Sequence, residues 1–182
     1  ENALLSARAS THLMREGTLQ WNAAQLSEQL DFYGSHLSIE SGMDYIKINL
    51  FCLNKHLNNV LPILKSILIE PTFPEGELDS YKQRAEEKLK EQLKQTEIVS
   101  YRELTELLYG NKHPYGYNST RLMIQNIQRS QIVDHFSKSI CAENGVAVIS
   151  GNVTPDTLKV ITGYLNEIPK GKEALAPSWT IN

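Results

Sequence analysis

Apolar residues recur every three or four positions through most of this sequence, which is the spacing of amphipathic helices. The pattern predicts helices at residues 3–15, 23–32, 54–69, 76–95, 98–109, 120–126, 129–140 and 154–168. In the fifth of these helices the inward side is expected to carry Leu104, Leu107 and Leu108. The inward side of the second helix is expected to end at Phe32.

Three residues in or beside these helices predict where the helices begin, end or bend. Gly17 can adopt the left-handed conformation that often ends a helix, so it is expected to close the first one. Asn22 can accept a backbone hydrogen bond and is expected to cap the second helix. Pro62 has no backbone N–H and is expected to kink the third helix or to mark its restart.

Apolar and polar residues alternate strictly in one stretch, as they do in a half-buried strand. Leu37 and Ile39 alternate with polar neighbours, and Ser41-Gly42 is expected to form a turn. Residues 45–53 then supply the second strand, so this stretch predicts a β-hairpin.

A further apolar run, residues 146–151, predicts a buried strand. Two or three strands are few for a stable sheet. Further strands are therefore expected from sequence before Glu1, from sequence after Asn182, or from a partner. Antiparallel strands with the helices gathered elsewhere indicate an α+β fold, in which an antiparallel sheet has helices packed on one side.

Composition and charge exclude several classes of function. The 182 residues are 41% hydrophobic with a net charge of -3, which leaves no basic surplus for nucleic acid or an anionic membrane surface. The longest apolar runs fall far below the roughly 18 to 20 residues that a membrane-spanning helix needs. Acids balance bases in the charged helix at 76–95, which is therefore interpreted as solvated. Cys52 and Cys141 show no metal-ligand spacing and are expected to be core thiols.

The composition changes near the end of the sequence, and this change predicts a domain boundary. Residues 1–168 are expected to form one domain. Residues 169–182 are rich in Gly, Pro and Lys and are expected to be a linker or the start of a next segment. In that segment Trp179 and Ile181 are expected to begin a strand.

A series of short motifs adds a resemblance to these patterns. The motifs are Glu16-Gly17-Thr18, Gly34-Ser35-His36-Leu37-Ser38-Ile39, Asp44-Tyr45, Ile69-Glu70-Pro71-Thr72-Phe73, His113-Pro114-Tyr115-Gly116 and Ser150-Gly151-Asn152. In this order and spacing, over about residues 3–168, they resemble the insulinase/pitrilysin-type zinc metallopeptidases, which include the mitochondrial processing peptidase. The resemblance implies the α+β half-domain fold of that family.

Active members of this family carry H-x-x-E-H in the first helix, in which the two His bind zinc and the Glu is the general base. Counting back from Gly17, the resemblance places the first His at Arg8, the base at Thr11 and the second His at His12. A further Glu ligand, supplied by the charged helix, falls at or beside Lys88.

This ligand set is degenerate, so the chain is predicted to have no catalytic residue and to bind no metal. A catalytic zinc needs three protein ligands, and Arg8 puts a fixed positive charge where the cation would bind. Thr11 cannot act as a general base near neutral pH. The alternative is an active zinc enzyme with a shifted register, in which His12 and either Glu86 or Glu87 hold the metal.

The resemblance implies a non-catalytic half that pairs with a homologous half or subunit bearing the zinc cofactor, to form a chamber for unfolded peptide. The strand after the second helix pairs with peptide in active halves; the matching candidates here are Ser35, His36, Leu37, Ser38, Ile39 and Glu40. A purely structural subunit and a homodimer remain alternatives. The compartment stays open among the bacterial periplasm, the bacterial cytoplasm and the mitochondrial matrix.

His113-Pro114-Tyr115-Gly116 also suggests acid–base chemistry, because it holds a His beside a Tyr. The alternative is a tight turn that packs Tyr115, since Pro and Gly both favour turns. The turn is the preferred interpretation.

Overall fold

A computed structural model describes residues 3–173, which fold into an α+β domain, as predicted. The helices are α1 (Ala3–Leu13), α2 (Ala23–Phe32), α3 (Leu57–Ile69), α4 (Glu75–Gln92), α5 (Thr96–Tyr109), α6 (Arg121–Gln125), α7 (Arg129–Ser139) and α8 (Pro155–Leu165). The strands are β1 (His36–Ser41) and β2 (Ile46–Phe51). The strand predicted from Trp179 and Ile181 lies outside the described residues. Within residues 3–173 no helix is both long and apolar enough to cross a membrane.

The hairpin forms where alternation predicted it. Strands β1 and β2 pair antiparallel, with His36 opposite Phe51 and Ser41 opposite Ile46. The connecting turn is closed by the Gly42 amide, which donates to the Tyr45 carbonyl at 2.8 Å. Tyr45 thus belongs to the turn and not to the second strand. In the part of the chain that the structure describes, the sheet contains these two strands alone.

The predicted third strand is wrong for the described structure. Residues 146–150 are extended but pair with no strand, and Val146 and Val148 are 91% and 89% exposed. A strand exists only when a neighbour accepts its backbone hydrogen bonds, and none of the described elements does so here.

The core lies around α1, which packs against α4, α7 and β1, and it includes the apolar side of α3. Residues on α1 and α3 are fully enclosed in it, together with single residues from the other elements. They include Ala9, Leu13, Met14, Val60, Ile63, Ile67, Phe73, Leu89, Ile127 and Ile132. Cys141 is also buried as a free thiol, whereas Cys52 is only half-buried. Burial of this apolar surface is the main force that holds α1 in the centre of the domain.

Two predictions of inward-facing residues are wrong. Phe32 is 77% exposed, because it is the last residue of α2 and projects beyond the core. On α5, Leu104, Leu107 and Leu108 are also exposed, and the buried residue of that helix is Thr105. No described element covers the leucine side of α5, so helical periodicity identified an apolar side without identifying what it packs against.

The predicted helix signals are partly confirmed. The Asn22 side chain accepts from the Gln25 amide at 2.9 Å, and Gln25 returns the contact to the Asn22 amide at 3.0 Å. This is a capping box, and it satisfies two backbone donors at the start of α2. Helix α3 runs unbroken through Pro62, so the predicted restart is wrong. The ring lies in the second turn, where its missing N–H removes a single hydrogen bond.

Gly17 is needed for close packing and not for a left-handed backbone. Its φ is not in the left-handed region, which overturns the prediction made for it. A Cβ at this position would lie 3.0 Å from Thr72 Oγ1 and 3.3 Å from Pro74 Cγ. The Gly17 carbonyl accepts from the Thr72 amide at 2.9 Å, so the two chain segments are in direct contact.

Gly17→Ala is therefore expected to lower the free energy of unfolding by about 1–3 kcal/mol, because the new methyl group overpacks this contact. Gly76→Ala is the matched control, since a Cβ there meets nothing within 4 Å. That change is expected to stabilise the protein by about 0.4–1 kcal/mol through reduced backbone entropy of the unfolded chain. Urea unfolding of both variants measures the difference, and equal effects would contradict the packing role of Gly17.

Candidate functional site

The position of the family's zinc motif lies on the side of α1 that faces α4. His12 packs against Tyr81 of α4, with the ring centroids 5.3 Å apart and the ring planes tilted by 37°. The His12 Nε2 atom lies 3.4 Å from a guanidinium nitrogen of Arg84 and 3.9 Å from a carboxylate oxygen of Glu16. The charged group that α4 presents to the imidazole is thus a cation, which would repel a metal ion instead of coordinating it.

The other two motif positions are unsuited to metal chemistry in a different way. Thr11 is buried, and its hydroxyl donates to the Ala7 carbonyl at 2.8 Å, so it is directed back into its own helix. Arg8 is exposed. Burial raises the pKa of the Tyr81 and Tyr117 hydroxyls, and the positive charge of Arg8 opposes that rise. Arg8 therefore lies near both phenols and makes this side of α1 electropositive.

The downstream candidates do not converge on His12. Glu86 accepts from Arg121 Nε at 2.7 Å and from Gln125 Nε2 at 3.2 Å, so its carboxylate is held toward α6. Glu87 and Lys88 are exposed on α4. Among the described residues, no three His, Cys, Asp or Glu side chains come close enough to share a metal ion. The structure therefore does not bring together the set that a shifted register would need.

Tyr81 and Arg84 are the site residues that sequence reasoning missed. Tyr81 lies on the side of the charged helix that faces α1, where it packs against the core. Arg84 lies three residues further along the same side of the helix. Helical spacing could have identified both residues as neighbours of the motif, although not their contact with His12.

The peptide-binding candidates form the end of the α2–β1 connection and most of β1. Ser35 and Leu37 are buried, whereas His36 and Glu40 are exposed. Ser38 Oγ accepts from Asn49 Nδ2 of β2 at 3.2 Å. Strand β1 pairs with β2 along one edge, and no other described strand pairs with it. The second edge of β1 can therefore offer backbone groups to an extended peptide.

The His113–Gly116 stretch forms a compact turn, in agreement with the turn interpretation. The Tyr115 amide donates to His113 Nδ1 at 3.1 Å, and the Tyr115 hydroxyl donates to an Asp44 carboxylate oxygen at 2.9 Å. Both rings also contact Tyr109. These contacts tie the turn to the end of α5 and to the hairpin loop, and they account for the aromatic residues in structural terms.

Acid should weaken this domain in part through His12. Burial lowers the pKa of its imidazole; Glu16 opposes the shift, and Arg84 reinforces it. A His whose pKa is lower when folded binds a proton more readily when unfolded, so stability is retained above about pH 6.5 and lost as the pH falls through the folded pKa. Between pH 7.5 and pH 5, the free energy of unfolding measured in urea should therefore fall less in His12→Gln than in the unchanged protein. His36→Gln, at an exposed His, is the control. If both variants reduced the loss of stability in acid equally, the role of His12 would be contradicted.

The geometry defines an α+β domain in which a two-stranded hairpin and several helices pack around the central helix α1. The family model described as Insulinase (Peptidase family M16) matches residues 7–116. This match covers more than half of the chain and includes the α1 motif, the hairpin and the His113–Gly116 turn. The chain belongs to the insulinase family, peptidase family M16, as the motif series predicted.

Several relatives match this chain over nearly its whole length. The chain is 24% identical over 175 residues to the non-peptidase homolog YmxG of Helicobacter pylori, a match that covers 94% of this chain and 40% of that protein. A peptidase M16 inactive domain from Pseudomonas fluorescens superposes with a TM-score of 0.86 at 20% identity, over 94% of this chain and 42% of that one. The first half of the periplasmic protease PqqL from Escherichia coli gives 0.77 at 17% identity, over 100% and 41%. The chain therefore spans less than half the length of these relatives.

Proposed function

We propose that this chain forms a non-catalytic half of an insulinase-family peptidase and works by pairing with a homologous half that holds the zinc. The observation that carries the proposal is the contact at His12, where α4 presents the Arg84 guanidinium and not a carboxylate. A catalytic zinc needs three protein ligands and a water that a base can deprotonate. With Arg8 in place of one ligand and Thr11 bonded into its helix, this half provides neither.

The names of the relatives support the same proposal. One is called a non-peptidase homolog and another an inactive domain, so catalytically silent members with this fold exist in the family. A third is the first half of a protease, which supports the view that such domains work in pairs. Zinc is then expected in the partner half and not in this chain.

The exposed side of α5 is the proposed contact with the partner. Leu104 and Leu108 lie one helical turn apart, and Tyr101 lies one turn before Leu104, so the three form one apolar stripe. Contiguous exposed apolar patches on soluble domains mark interaction sites. In the proposed pair this stripe packs against the active half, and the open edge of β1 contributes to binding an extended peptide in the chamber.

Peptide hydrolysis tests the proposal directly. The homologue with an intact H-x-x-E-H motif from the same cell is assayed on an unstructured peptide, alone and with this chain. We expect hydrolysis to rise on mixing and the gain to disappear with Leu104→Asp and Leu108→Asp, because two carboxylates would be buried at the contact. Leu122→Asp, at an exposed leucine of α6, is the matched control and should retain the gain.

Metal analysis of the purified chain gives the opposing outcome. After dialysis with added zinc, we expect less than stoichiometric metal and no hydrolysis by this chain alone. One zinc per chain that is lost in His12→Ala, together with peptide cleavage, would overturn the proposal in favour of an active enzyme with a shifted ligand register.

A further inference from the structure

We propose that the surface where α1 meets α4, at the position of the zinc motif, binds a carboxylate of an extended peptide. The carboxylate is either an Asp or Glu side chain or the C-terminus of that peptide. The inference deepens the proposed function and rests on it, because the peptide is the one that the two paired halves are proposed to enclose. Its test uses this chain alone.

Two guanidinium groups on this surface have no acidic partner. Arg8 and Arg84 are both exposed. Within residues 3–173, the Arg8 side chain forms no hydrogen bond or ion pair, and the recorded contact of the Arg84 guanidinium is with His12 Nε2, at 3.4 Å. By contrast, Arg121 of α6 pairs with the Glu86 carboxylate at 2.7 Å. Arg8 and Arg84 therefore keep N–H donors available for an anion.

Two phenol hydroxyls beside Arg8 can also donate to a bound oxygen. Tyr81 packs its ring against His12, and its hydroxyl forms no hydrogen bond in the part of the chain that the structure describes. That oxygen is accessible, because no enclosed side-chain oxygen or nitrogen among the described residues lacks a partner. The Tyr117 hydroxyl donates to Met123 Sδ at 3.4 Å, and a thioether is a weak acceptor that a carboxylate would easily replace.

Electrostatic effects connect these side chains into one cluster. The positive charge of Arg8 acts on the pKa of both the Tyr81 and the Tyr117 hydroxyl, against the rise that burial causes. Arg8 also lies one helical turn before His12, which contacts both Tyr81 and Arg84. We call Arg8, Arg84, Tyr81 and Tyr117 the arginine–tyrosine cluster.

The arginine–tyrosine cluster is rich in donors and contains no carboxylate. A guanidinium presents its N–H groups as a planar fork that matches the two oxygens of a carboxylate, and a phenol adds an O–H donor. The acidic group recorded beside His12 is Glu16, at 3.9 Å from Nε2, and it lies two helical turns from Arg8. The whole chain has a net charge of -3, so the cluster is a local exception to its charge. Its chemistry suits an anion with oxygen acceptors.

The position of the cluster favours a peptide as the source of that anion. Strand β1 packs against α1, and the open edge of β1 is the proposed position of an extended peptide. Near neutral pH the anions of an unmodified peptide are its Asp and Glu side chains and its C-terminus. Backbone pairing on a strand edge gives affinity, whereas side-chain pockets give specificity. A carboxylate held at α1 would therefore fix the register of the peptide on β1.

Three short, unstructured peptides test the inference on the purified chain. The first has one internal Glu and an amidated C-terminus, the second has Gln in place of that Glu, and the third has Gln with a free C-terminal carboxylate. Titration calorimetry measures the dissociation constants. We expect the first or the third peptide to bind at least about tenfold more tightly than the second, because charge-assisted hydrogen bonds form only with a carboxylate. The tighter of the two identifies a side chain or the C-terminus as the ligand.

Substitutions within the cluster locate the bound carboxylate. Tyr81→Phe keeps the ring that packs on His12 and removes only the hydroxyl. This variant and Arg8→Gln are each expected to bind the preferred peptide about tenfold more weakly and the second peptide as before. Arg8→Lys keeps the charge without the planar fork, so its loss should be smaller than that of Arg8→Gln. Lys159→Gln, at an exposed lysine of α8, removes the same charge elsewhere and should change neither affinity.

Two results would overturn the inference. Equal or absent binding of the three peptides would show that no carboxylate is recognised. A preference that survives both Arg8→Gln and Tyr81→Phe, in variants whose thermal unfolding is unchanged, would show that the carboxylate binds elsewhere. Failure of the pairing is measured separately: if hydrolysis did not rise on mixing with the zinc-bearing half, the proposed function would be wrong, whereas the carboxylate preference of this chain would remain.

Discussion

Stoichiometric zinc binding should appear when three ligands are placed on the facing sides of α1 and α4. The changes are Arg8→His, Lys88→Glu and Arg84→Gln, with His12 retained as the third ligand. Arg8 is one helical turn before His12, and Lys88 is one turn after Arg84, so the new side chains share the surface where His12 meets α4. Two imidazoles and one carboxylate form a common catalytic zinc set. Removing the Arg84 guanidinium takes away the charge that opposes the metal.

The expected gain is large because the unfolded chain binds zinc much more weakly than a formed site. With free zinc at a hundredfold excess over the dissociation constant, the triple variant should be stabilised by about 2.7 kcal/mol. Metal analysis after dialysis and thermal unfolding with and without zinc measure the effect. The matched control carries Lys90→Glu in place of Lys88→Glu, since Lys90 is also exposed on α4 but lies two residues further along. Equal zinc binding by the control would contradict the proposed ligand geometry.

Restored zinc should not by itself restore hydrolysis. The metal-bound water still needs a base, and the Thr11 hydroxyl is buried and donates to Ala7 within its own helix. Thr11→Glu adds the missing carboxylate to the triple variant, at a cost in stability because it buries a charge. Peptide cleavage that appears only after this fourth change would separate the loss of the base from the loss of the ligands.

Local signals in the sequence predicted the elements whose partners are close along the chain. The Asn22 capping box and the β1–β2 hairpin each close within a few residues, so propensity and alternation are sufficient to identify them. The Tyr115 turn was predicted for the same reason. The motif positions Arg8, Thr11 and His12 were placed on one helix by spacing alone, and the structure keeps Arg8 and His12 on one side of it.

What the sequence could not predict depends on long-range neighbours. Periodicity marks Leu104 and Leu108 as apolar but does not reveal that no described element packs against them. The same holds for the segment that contains Val148, which is strand-forming in composition but pairs with no strand within residues 3–173. Gly17 illustrates a third case. A side chain is excluded at this position because Thr72, far away in sequence, lies too close. The surroundings of His12 likewise depend on Arg84, which comes from another helix.

Phe73→Ala should be the most destabilising single change in the domain. Phe73 is fully buried and packs edge-to-face on Phe136 of α7, with the ring centroids 5.3 Å apart. Its carbonyl accepts from Arg129 Nε at 2.9 Å, and Arg129 also donates to the Thr72 carbonyl at 2.8 Å. The side chain thus joins the α3–α4 connection to α7. Replacing a buried Phe by Ala removes this packing and leaves a cavity, which costs about 3–5 kcal/mol.

The backbone at this position allows the cavity to be separated from strain. Phe73 has a φ of 46°, a conformation that side chains rarely adopt. Phe73→Gly relieves that strain but leaves a larger cavity, whereas Phe73→Leu keeps most of the volume and should cost clearly less than alanine. Phe32→Ala, at an exposed aromatic, is the control and should change stability by less than about 0.5 kcal/mol.

A double-mutant cycle with Phe136→Ala measures the aromatic contact itself. We expect a coupling free energy of about 0.5–1.5 kcal/mol between the two rings, in addition to the contribution of the apolar area that each ring buries. The free energy of unfolding in urea is the measurement for the unchanged protein and for every variant. If Phe73→Ala cost no more than Phe32→Ala, the connection before α4 would be peripheral to the core.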